Sequence, residues 1–266
     1  MSNDSTYKGV FIAKKKNGDI YYRSSVNFKG KHISLGSFDD KLKAHSAYLE
    51  AKGILGNKEW DLANWNKSYA LSFCKCVVLL NFRENNVYIA TPILLRKNFF
   101  LYYISNTDVL TFDIDDLFYY SSHSIMRRGN HLFVADYGSQ LNIMHRYGIG
   151  SYAVAGRDYK FINGDKNDLR YQNIEIINRY RGVRCINVKG FTKYKAVIHI
   201  NGDFVVGKYN SEIEAAIAYN KAIDVTIKRG IHKNFEQNYI EDISPKEYAD
   251  IYSKIKISKK LYSFLA

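Results

Sequence analysis

The chain has 266 residues, of which 46% are hydrophobic, so it can bury a sizeable core and hold more than one small domain. Aromatic residues make up 15% of it and only 2 residues are Pro, which excludes a disordered tail. A formal net charge of +13 favours a polyanionic partner, nucleic acid ahead of an acidic membrane surface, over a merely soluble basic protein.

The N-terminal stretch MSNDSTYKGV has no apolar run and therefore predicts no signal peptide. An intracellular location follows as an expectation: the cytoplasm or nucleoid, or the nucleus of a eukaryotic host. The apolar run FFLYYI at 99–104 is too short to span a membrane and predicts a buried strand. We therefore expect no membrane partner.

The first predicted module covers 1–60. It contains the word YKGVF at 7–11, then YYRSSVNF and HISLGSF, which read as strands joined by the turn Lys29-Gly30-Lys31. The segment LGSFDDKLKAHSAYLEAK at 35–52 predicts a helix over about 40–52. Three short strands followed by a helix are thus expected here.

The next segment, 61–86, is predicted to be a linker and carries two of the three Cys residues. Cys74 and Cys76 stand at i and i+2 in FCKCVV, and on a strand they would point the same way. Cys185 lies far along the chain. No CxxC pair occurs, so the pattern favours reduced thiols over a zinc site.

The third segment, 87–179, is rich in Tyr and in strand-like runs. It contains the words MHR at 144–146, INGD at 162–165 and DLRYQNIEII at 168–177. The turn INGD followed by a short helix is the expected local structure.

A second copy of the first pattern occupies 180–238. YRGVR at 180–184 matches YKGVF, and VGKYNSEIEAAIAYNKAI at 206–223 matches the segment at 35–52. Strands YRGVRCI, YKAVIHI and FVVGKY are separated by the hairpin turn Asn201-Gly202-Asp203. Ser211 and Glu214 then form a predicted capping box.

The last segment, 239–266, predicts a C-terminal helix. Ser244 as N-cap, Pro245 at the first position and Glu247 three residues after the cap are its start signals. Its apolar stripe and its Lys-rich face leave three roles open: docking on the preceding domain, binding DNA phosphates, or dimerisation.

The words YRGV, LGSF and AAIAY resemble the signature of the AP2 DNA-binding domain. That resemblance implies a three-stranded sheet lying in the DNA major groove, with basic and aromatic side chains on its strands contacting bases and phosphates. The residues that match those strands are Lys8, Tyr22, Arg23, Arg181, Arg184, Lys193, Tyr194 and Lys195. The alternative is that the two Tyr side chains pack against the helix and that the Arg residues belong to an ordinary solvated strand.

The middle segment resembles HNH homing endonucleases, which AP2 repeats often accompany. The resemblance implies a ββα module in which a His base and a divalent cation, usually Mg²⁺, cleave DNA. Phe161 stands at the His position and Lys160 at that of a metal-ligating Asp. Phe cannot accept a proton and a Lys ammonium repels a dication, so the resemblance is to a degenerate member of the family. Lys160 is then predicted to bind DNA, its charge replacing that of the metal at the phosphate.

A nuclease with displaced residues is the alternative. His145, with His123 or His131, could then approach the site, and Asp158 and Asp165 are weak candidates for metal ligands. The Asn residues of this region, Asn163 and Asn173, are predicted to hold the turn and the segment after it, Asn173 also being a possible residual catalytic residue.

The predicted fold class is α+β, with two AP2-like sheet-plus-helix domains flanking an HNH-like ββα module. The predicted function is sequence-specific binding of double-stranded DNA without cleavage, by a monomer with two DNA-binding domains or by a homodimer, as a repressor or as a competitor for a site. No cofactor is expected, except Mg²⁺ if the protein is a nuclease. A protein-interaction module is a third hypothesis, and the Lys-, Asn-, Ile- and Tyr-rich usage suggests an AT-rich genome, such as that of a mobile element or a virus.

Overall fold

The computed structural model describes residues 7–136 and 138–264. The chain forms two compact units, one of Met1–Leu141 with Lys166–Tyr171 and one of Asn142–Asp165 with Gln172–Ala266. The described strands form four three-stranded sheets and one two-stranded sheet. This confirms a mixed α+β protein built from small antiparallel sheets. Within the described residues, no helix is long and apolar enough to cross a membrane.

The first unit begins with a sheet of β1–β2–β3 and a helix that covers one of its faces. These elements are β1 (Val10–Lys14), β2 (Ile20–Phe28), β3 (Lys31–Phe38) and α1 (Lys41–Gly56). The helix begins where predicted, because the Asp40 carboxylate accepts a hydrogen bond of 2.7 Å from the Lys43 N–H. It continues past the predicted end to Gly56.

The segment FCKCVV, which was predicted to lie in a linker, is part of a helix, α2 (Phe73–Asn85). Ser72 caps the helix by accepting the Lys75 N–H, and its apolar residues pack against α1 in one core. On a helix, Cys74 and Cys76 point about 200° apart, so they cannot share a metal ion as a pair on one face. Burial raises the pKa of the Cys76 thiol to about 12, which keeps it protonated.

The rest of the first unit consists of two further sheets and one turn of helix. They are β4 (Ile93–Leu95), β5 (Phe99–Tyr103), β6 (Val109–Asp113), α3 (Leu117–Tyr120), β7 (Ile125–Arg128), β8 (His131–Asp136) and β9 (Ser139–Asn142). The strand predicted from FFLYYI is confirmed as β5, and it buries Phe100 and Tyr102. Residues 166–171 return to this unit, where the Leu169 N–H donates to the Thr111 carbonyl at 2.8 Å.

The second unit contains a hairpin, a three-stranded sheet and three helices. They are β10 (Tyr159–Phe161), β11 (Ile174–Ile176), β12 (Val183–Val188), β13 (Phe191–His199), β14 (Asp203–Tyr209), α4 (Glu212–Lys228), α5 (Pro245–Lys254) and α6 (Lys259–Phe264). Ser211 and Glu214 form the predicted capping box at the start of α4.

The segment DLRYQNIEII does not form the expected helix. It contains a 3₁₀ turn at Tyr171–Asn173, followed directly by strand β11. The extended conformation is favoured over a helix because these residues pair with β10, with Ile174 opposite Phe161 and Ile176 opposite Tyr159. Residues 158–177 therefore form a two-stranded hairpin with a 3₁₀ turn and no α-helix.

The two copies of the repeated pattern have the same local architecture. Each is an antiparallel sheet in which the middle strand pairs with both neighbours, and each is followed by a helix. Both middle strands carry an irregularity in register at the same place, between Ser24 and Ser25 in the first copy and between Ala196 and Val197 in the second. The repeat read from sequence is thus a repeat of structure.

The C-terminal segment docks on α4 of the second unit. Its capping box and N-terminal Pro form as predicted. The Tyr252 hydroxyl donates to the Asp224 carboxylate at 2.7 Å, and the Lys221 ammonium donates to the carbonyls of Tyr252 and Ile255. Leu261 of α6 is buried in the core formed by the sheet and α4. Of the three roles left open by the sequence, docking on the preceding domain is the one that the contacts show.

Candidate nucleic-acid interface

The sheet β12–β13–β14 has one face against α4 and one face turned away from it. Tyr194, Ala196 and Ile198 of β13 belong to the apolar core that includes α4. Because side chains alternate along a strand, Lys193 and Lys195 lie on the opposite face. Partners directly across a strand pair share a face, so the register assigns the residues of the two outer strands as well.

Three cations stand in register across this outer face. Arg184 of β12 lies opposite Lys195 of β13, and Lys195 lies opposite Lys208 of β14. We call these three residues the cation row. Like charges directly opposite one another destabilise a sheet, so the row costs free energy in the isolated protein and favours an anion bound across it. Lys193, one alternation step away on the same strand, extends the positive surface.

The acidic group on this face lies at its end. Asp203 is opposite His199. Its carboxylate lies 2.9 Å from the His199 Nδ1 and 3.4 Å from the Arg184 guanidinium. The hydrogen bond with His199, with a further contribution from Arg184, holds the pKa of Asp203 below its usual range. One carboxylate does not balance the cation row and Lys193, so the face keeps a positive surplus.

Arg181 was predicted to contact DNA, and the structure gives it other partners. Its guanidinium pairs with Glu236 and lies 5.1 Å from the centroid of the Tyr152 ring. Its backbone N–H donates to the Asn238 side chain at 2.8 Å. Arg181 therefore lines a cleft of about 440 Å³ and ties the stretch that follows α4 to the start of β12. It does not join the cation row.

The two predicted tyrosines lie on the helix side of their sheets. Tyr194 is half-buried and packs against the core. Tyr22 pairs with Ile12 and Phe38 on the face that contains the buried Val10. The alternative reading of these two residues, packing against the helix, is thus the one that the geometry supports.

The outer face of the first sheet is much less charged, and Phe11, Ala13 and Tyr21 lie there beside the polar residues. Arg23 lies there opposite Ser37, and Ser25 lies opposite Ser34 on the same face. Lys8 is exposed in the turn before β1. The two copies thus share a backbone but present different surfaces.

Lys160 of the HNH-like hairpin has an acidic partner. It lies directly opposite Glu175, and the ammonium and carboxylate are 3.0 Å apart. Phe161, at the expected position of the base, is half-buried, and its ring meets that of Tyr159 edge to face at 5.8 Å. The hairpin therefore carries an ion pair and an aromatic contact where the resembled family has a base and a metal ligand.

The turn of this hairpin is held by asparagine side chains, as predicted. The Asn173 side-chain oxygen accepts the Asn163 N–H at 2.9 Å, and its amide nitrogen donates to the Asp165 carbonyl at 3.2 Å. The Asn163 side chain accepts the Asp165 N–H at 2.8 Å. These local bonds explain why the word INGD persists without requiring a catalytic role.

Asp158, a candidate metal ligand, is 3% exposed and its carboxylate is already occupied. It accepts hydrogen bonds from the Arg157 guanidinium, the Val154 N–H and the Asn178 amide, at 2.6 to 3.1 Å. Burial alone would raise its pKa, but the bonds from Arg157, Val154 and Asn178 outweigh burial and leave the pKa below its usual range. Asp158 anchors its loop.

His145, the candidate displaced base, is exposed on a 3₁₀ turn at Ile143–Tyr147. Its carbonyl accepts the Gly148 N–H at 3.1 Å. Across the described parts of the chain, no group of three His, Cys, Asp or Glu side chains is close enough to hold a metal ion.

Comparison of this chain with protein-family models, with curated proteins and with solved structures gave no match. The functional conclusion therefore depends on the residues and contacts described above.

Proposed function

We propose that this protein binds double-stranded DNA through the outer face of the sheet β12–β13–β14. The observation that supports this most directly is the cation row, three positive side chains in register on a face that packs against nothing in its own sheet-and-helix layer. A strand spacing of about 4.8 Å brings neighbouring cations within reach of one phosphate backbone. The overall charge of +13 adds long-range attraction to the same partner.

The chemistry of the row suggests a division of roles. The Arg184 guanidinium can donate two parallel hydrogen bonds to a guanine edge in the major groove, which a β-sheet surface can enter. Lys195, Lys208 and Lys193 are compact charges suited to phosphates. Sequence preference would then come from Arg184, oriented by Asp203 in the free protein, and most of the affinity from the lysines.

The sheet β1–β2–β3 serves as a second and weaker contact, with Arg23 and Lys8 as its cations. Two linked contacts raise the overall affinity because the second becomes intramolecular. The AP2 resemblance of both copies implies that both sheets bind DNA. The outer face of β1–β2–β3 carries fewer cations, so its contact is the weaker one.

The protein binds without cutting in this proposal. Phe161 supplies no base, Lys160 is paired with Glu175, and the Asp158 carboxylate is filled by hydrogen bonds from Arg157 and its neighbours. A DNA-binding protein of this kind, descended from an HNH homing endonuclease, would act as a repressor or compete with a cleaving relative for the same site.

The test is a selection of bound duplexes from a random DNA pool, followed by affinity measurements across a range of salt concentrations. The triple variant Arg184→Ala/Lys195→Ala/Lys208→Ala should weaken binding and lower the slope of log K against log salt by about 2, at about 0.9 for each of the two lysine–phosphate contacts that it removes. The control variant Lys228→Ala/Arg229→Ala/Lys246→Ala removes the same charge from α4, its end and α5. An equal loss in both variants, or no selected sequence, contradicts the proposal.

Cleavage is assayed on the selected duplex with Mg²⁺ and with Mn²⁺. We expect intact DNA. Metal-dependent nicks that disappear in the His145→Ala variant would show a nuclease with displaced residues and overturn the non-cleaving part of the proposal.

A further inference from the structure

The hairpin between β12 and β13 has a tight tip. Lys189 and Gly190, its two central residues, both have positive φ, 53° and 86°. This is the pattern of a type I′ turn, whose twist matches that of the flanking strands. The Gly190 N–H also donates to the Asn187 side chain at 2.9 Å. The tip is therefore held in one shape by backbone geometry and a side-chain bond.

An exposed aromatic residue stands at this tip. Phe191 is 71% exposed, and it lies directly opposite Val188. By alternation along β13 it shares the outer face with Lys193 and Lys195. A large apolar ring is thus exposed to solvent at the end of the surface that carries the cation row. It directly follows the turn residues Lys189 and Gly190.

Charge identifies the partner for this ring. The nearest cations are Lys189 in the turn and Lys193 on the same face, and the cation row follows. A ring surrounded by cations fits a partner that is both anionic and able to accept an apolar group, and stacked bases between two phosphate chains have both properties.

We propose that Phe191 is a wedge that inserts between two neighbouring base pairs and unstacks them, at one end of the site bound by the cation row. This rests on the proposed DNA-binding function. Phe191 and Lys195 are four residues apart on one strand, about 13 Å. The opened step should therefore lie about four base pairs from the phosphates at the cation row.

The first copy has a different tip. Its β1–β2 connection is KKNGD at 15–19, and β2 begins with Ile20 where β13 begins with Phe191. The wedge is therefore a property of the second copy alone, and it would give the complex a direction along the DNA.

The experiment places 2-aminopurine at successive positions of a duplex selected by the wild-type protein. Wild-type protein should raise the fluorescence at one step near the end of the footprint. Phe191→Ala should abolish that rise and weaken binding about tenfold, the usual effect of losing one base–aromatic contact. Phe191→Leu, which keeps an apolar side chain, should retain part of the rise.

Phe118→Ala is the matched control. Phe118 is 91% exposed, and it lines the same surface depression as the exposed Asp115, so its nearest charge is negative. This variant should leave both affinity and fluorescence unchanged.

The outcomes separate the wedge from DNA binding itself. Binding that depends on the cation row but shows no fluorescence rise, or the same rise in Phe191→Ala, overturns the wedge and leaves the proposed function standing. Absence of DNA binding in the wild-type protein overturns both. Wild-type binding to vesicles of acidic lipid in place of DNA, lost in Phe191→Ala, assigns the ring to a lipid surface and also overturns the wedge.

Discussion

In each copy of the repeat, one glycine makes room for a tyrosine ring. A Cβ atom on Gly9 would lie 2.1 Å from the Tyr48 ring, and one on Gly182 would lie 2.3 Å from the Tyr219 ring. Both glycines have positive φ. Each glycine carbonyl accepts the N–H of the residue just after the irregularity in its middle strand, at 3.0 and 2.7 Å. The Gly of YKGV or YRGV and the Tyr of AY are therefore the two partners of one contact, and this contact occurs in both copies.

Gly182→Ala should lower the free energy of unfolding by at least 1–3 kcal/mol, because the new methyl group meets Tyr219 and a backbone carbonyl in addition to the backbone strain. Gly230→Ala is the control. Gly230 also has a positive φ, 83°, but an added Cβ would meet nothing within 4 Å. Urea unfolding measures both, and an equal loss in the two variants would mean that the tyrosine contact contributes nothing.

Asp158→Asn should destabilise the second unit by about 1–3 kcal/mol at neutral pH, since it weakens a filled set of hydrogen bonds to a buried carboxylate. The folded-state pKa of Asp158 is lowered, so its contribution is fully present above the ordinary value of 3.8 and is lost as pH falls through the lower folded value. The difference in stability between wild type and variant should therefore shrink below about pH 4. A difference that is constant from pH 7 to pH 2 would contradict this assignment.

At this scale the sequence predicted charged residues better than aromatic ones. Arg184, Lys193 and Lys195 do share one face. Tyr22 and Tyr194 face the helix. A shift of one position would put them on the other face, and only the strand register shows which face they occupy. Arg181 could not have been placed, because Glu236 is far along the chain. Lys208 was missed because alternation counted from Asp203 puts it on the helix side, and only the register shift between Ala196 and Val197 brings it opposite Lys195.

Elements with strong end signals were predicted well. The helices α4 and α5 begin at the capping boxes read from the sequence, because a cap is a local interaction between residues three apart. One segment that was predicted to be a linker is a helix, and one predicted helix is a strand. FCKCVV is a helix because its apolar residues pack on α1, and the Ile174–Ile176 segment is a strand because it pairs with β10. Both outcomes depend on partners distant in sequence.

The short helix α6 offers a test of how the C-terminal segment is held. Leu261→Ala should lower the free energy of unfolding by about 2–5 kcal/mol, since Leu261 is buried against the core of the sheet and α4. Tyr262→Ala, at the next and more exposed position, should cost much less. Thermal melts of the two variants give the comparison, and similar melting temperatures would mean that α6 does not dock as described.

For the whole molecule, the repeated sheets differ in charge more than in shape. This predicts unequal effects of equivalent substitutions: Arg184→Ala should weaken DNA binding about tenfold or more, and Arg23→Ala by less. Both variants remove one guanidinium from the outer face of a middle or edge strand, so each controls for the other. A larger loss in Arg23→Ala would make the first sheet the principal contact. Affinity for the selected duplex at a fixed salt concentration decides between them.

The chain passes between its two units more than once, at 141, at 165 and at 171. Leu169, which is fully buried, therefore completes the first unit although most of the hairpin around it belongs to the second. In terms of inheritance, a single recombination breakpoint between 142 and 171 would hand each descendant gene one damaged unit. Exchange of one intact unit between genes would therefore need more than one breakpoint.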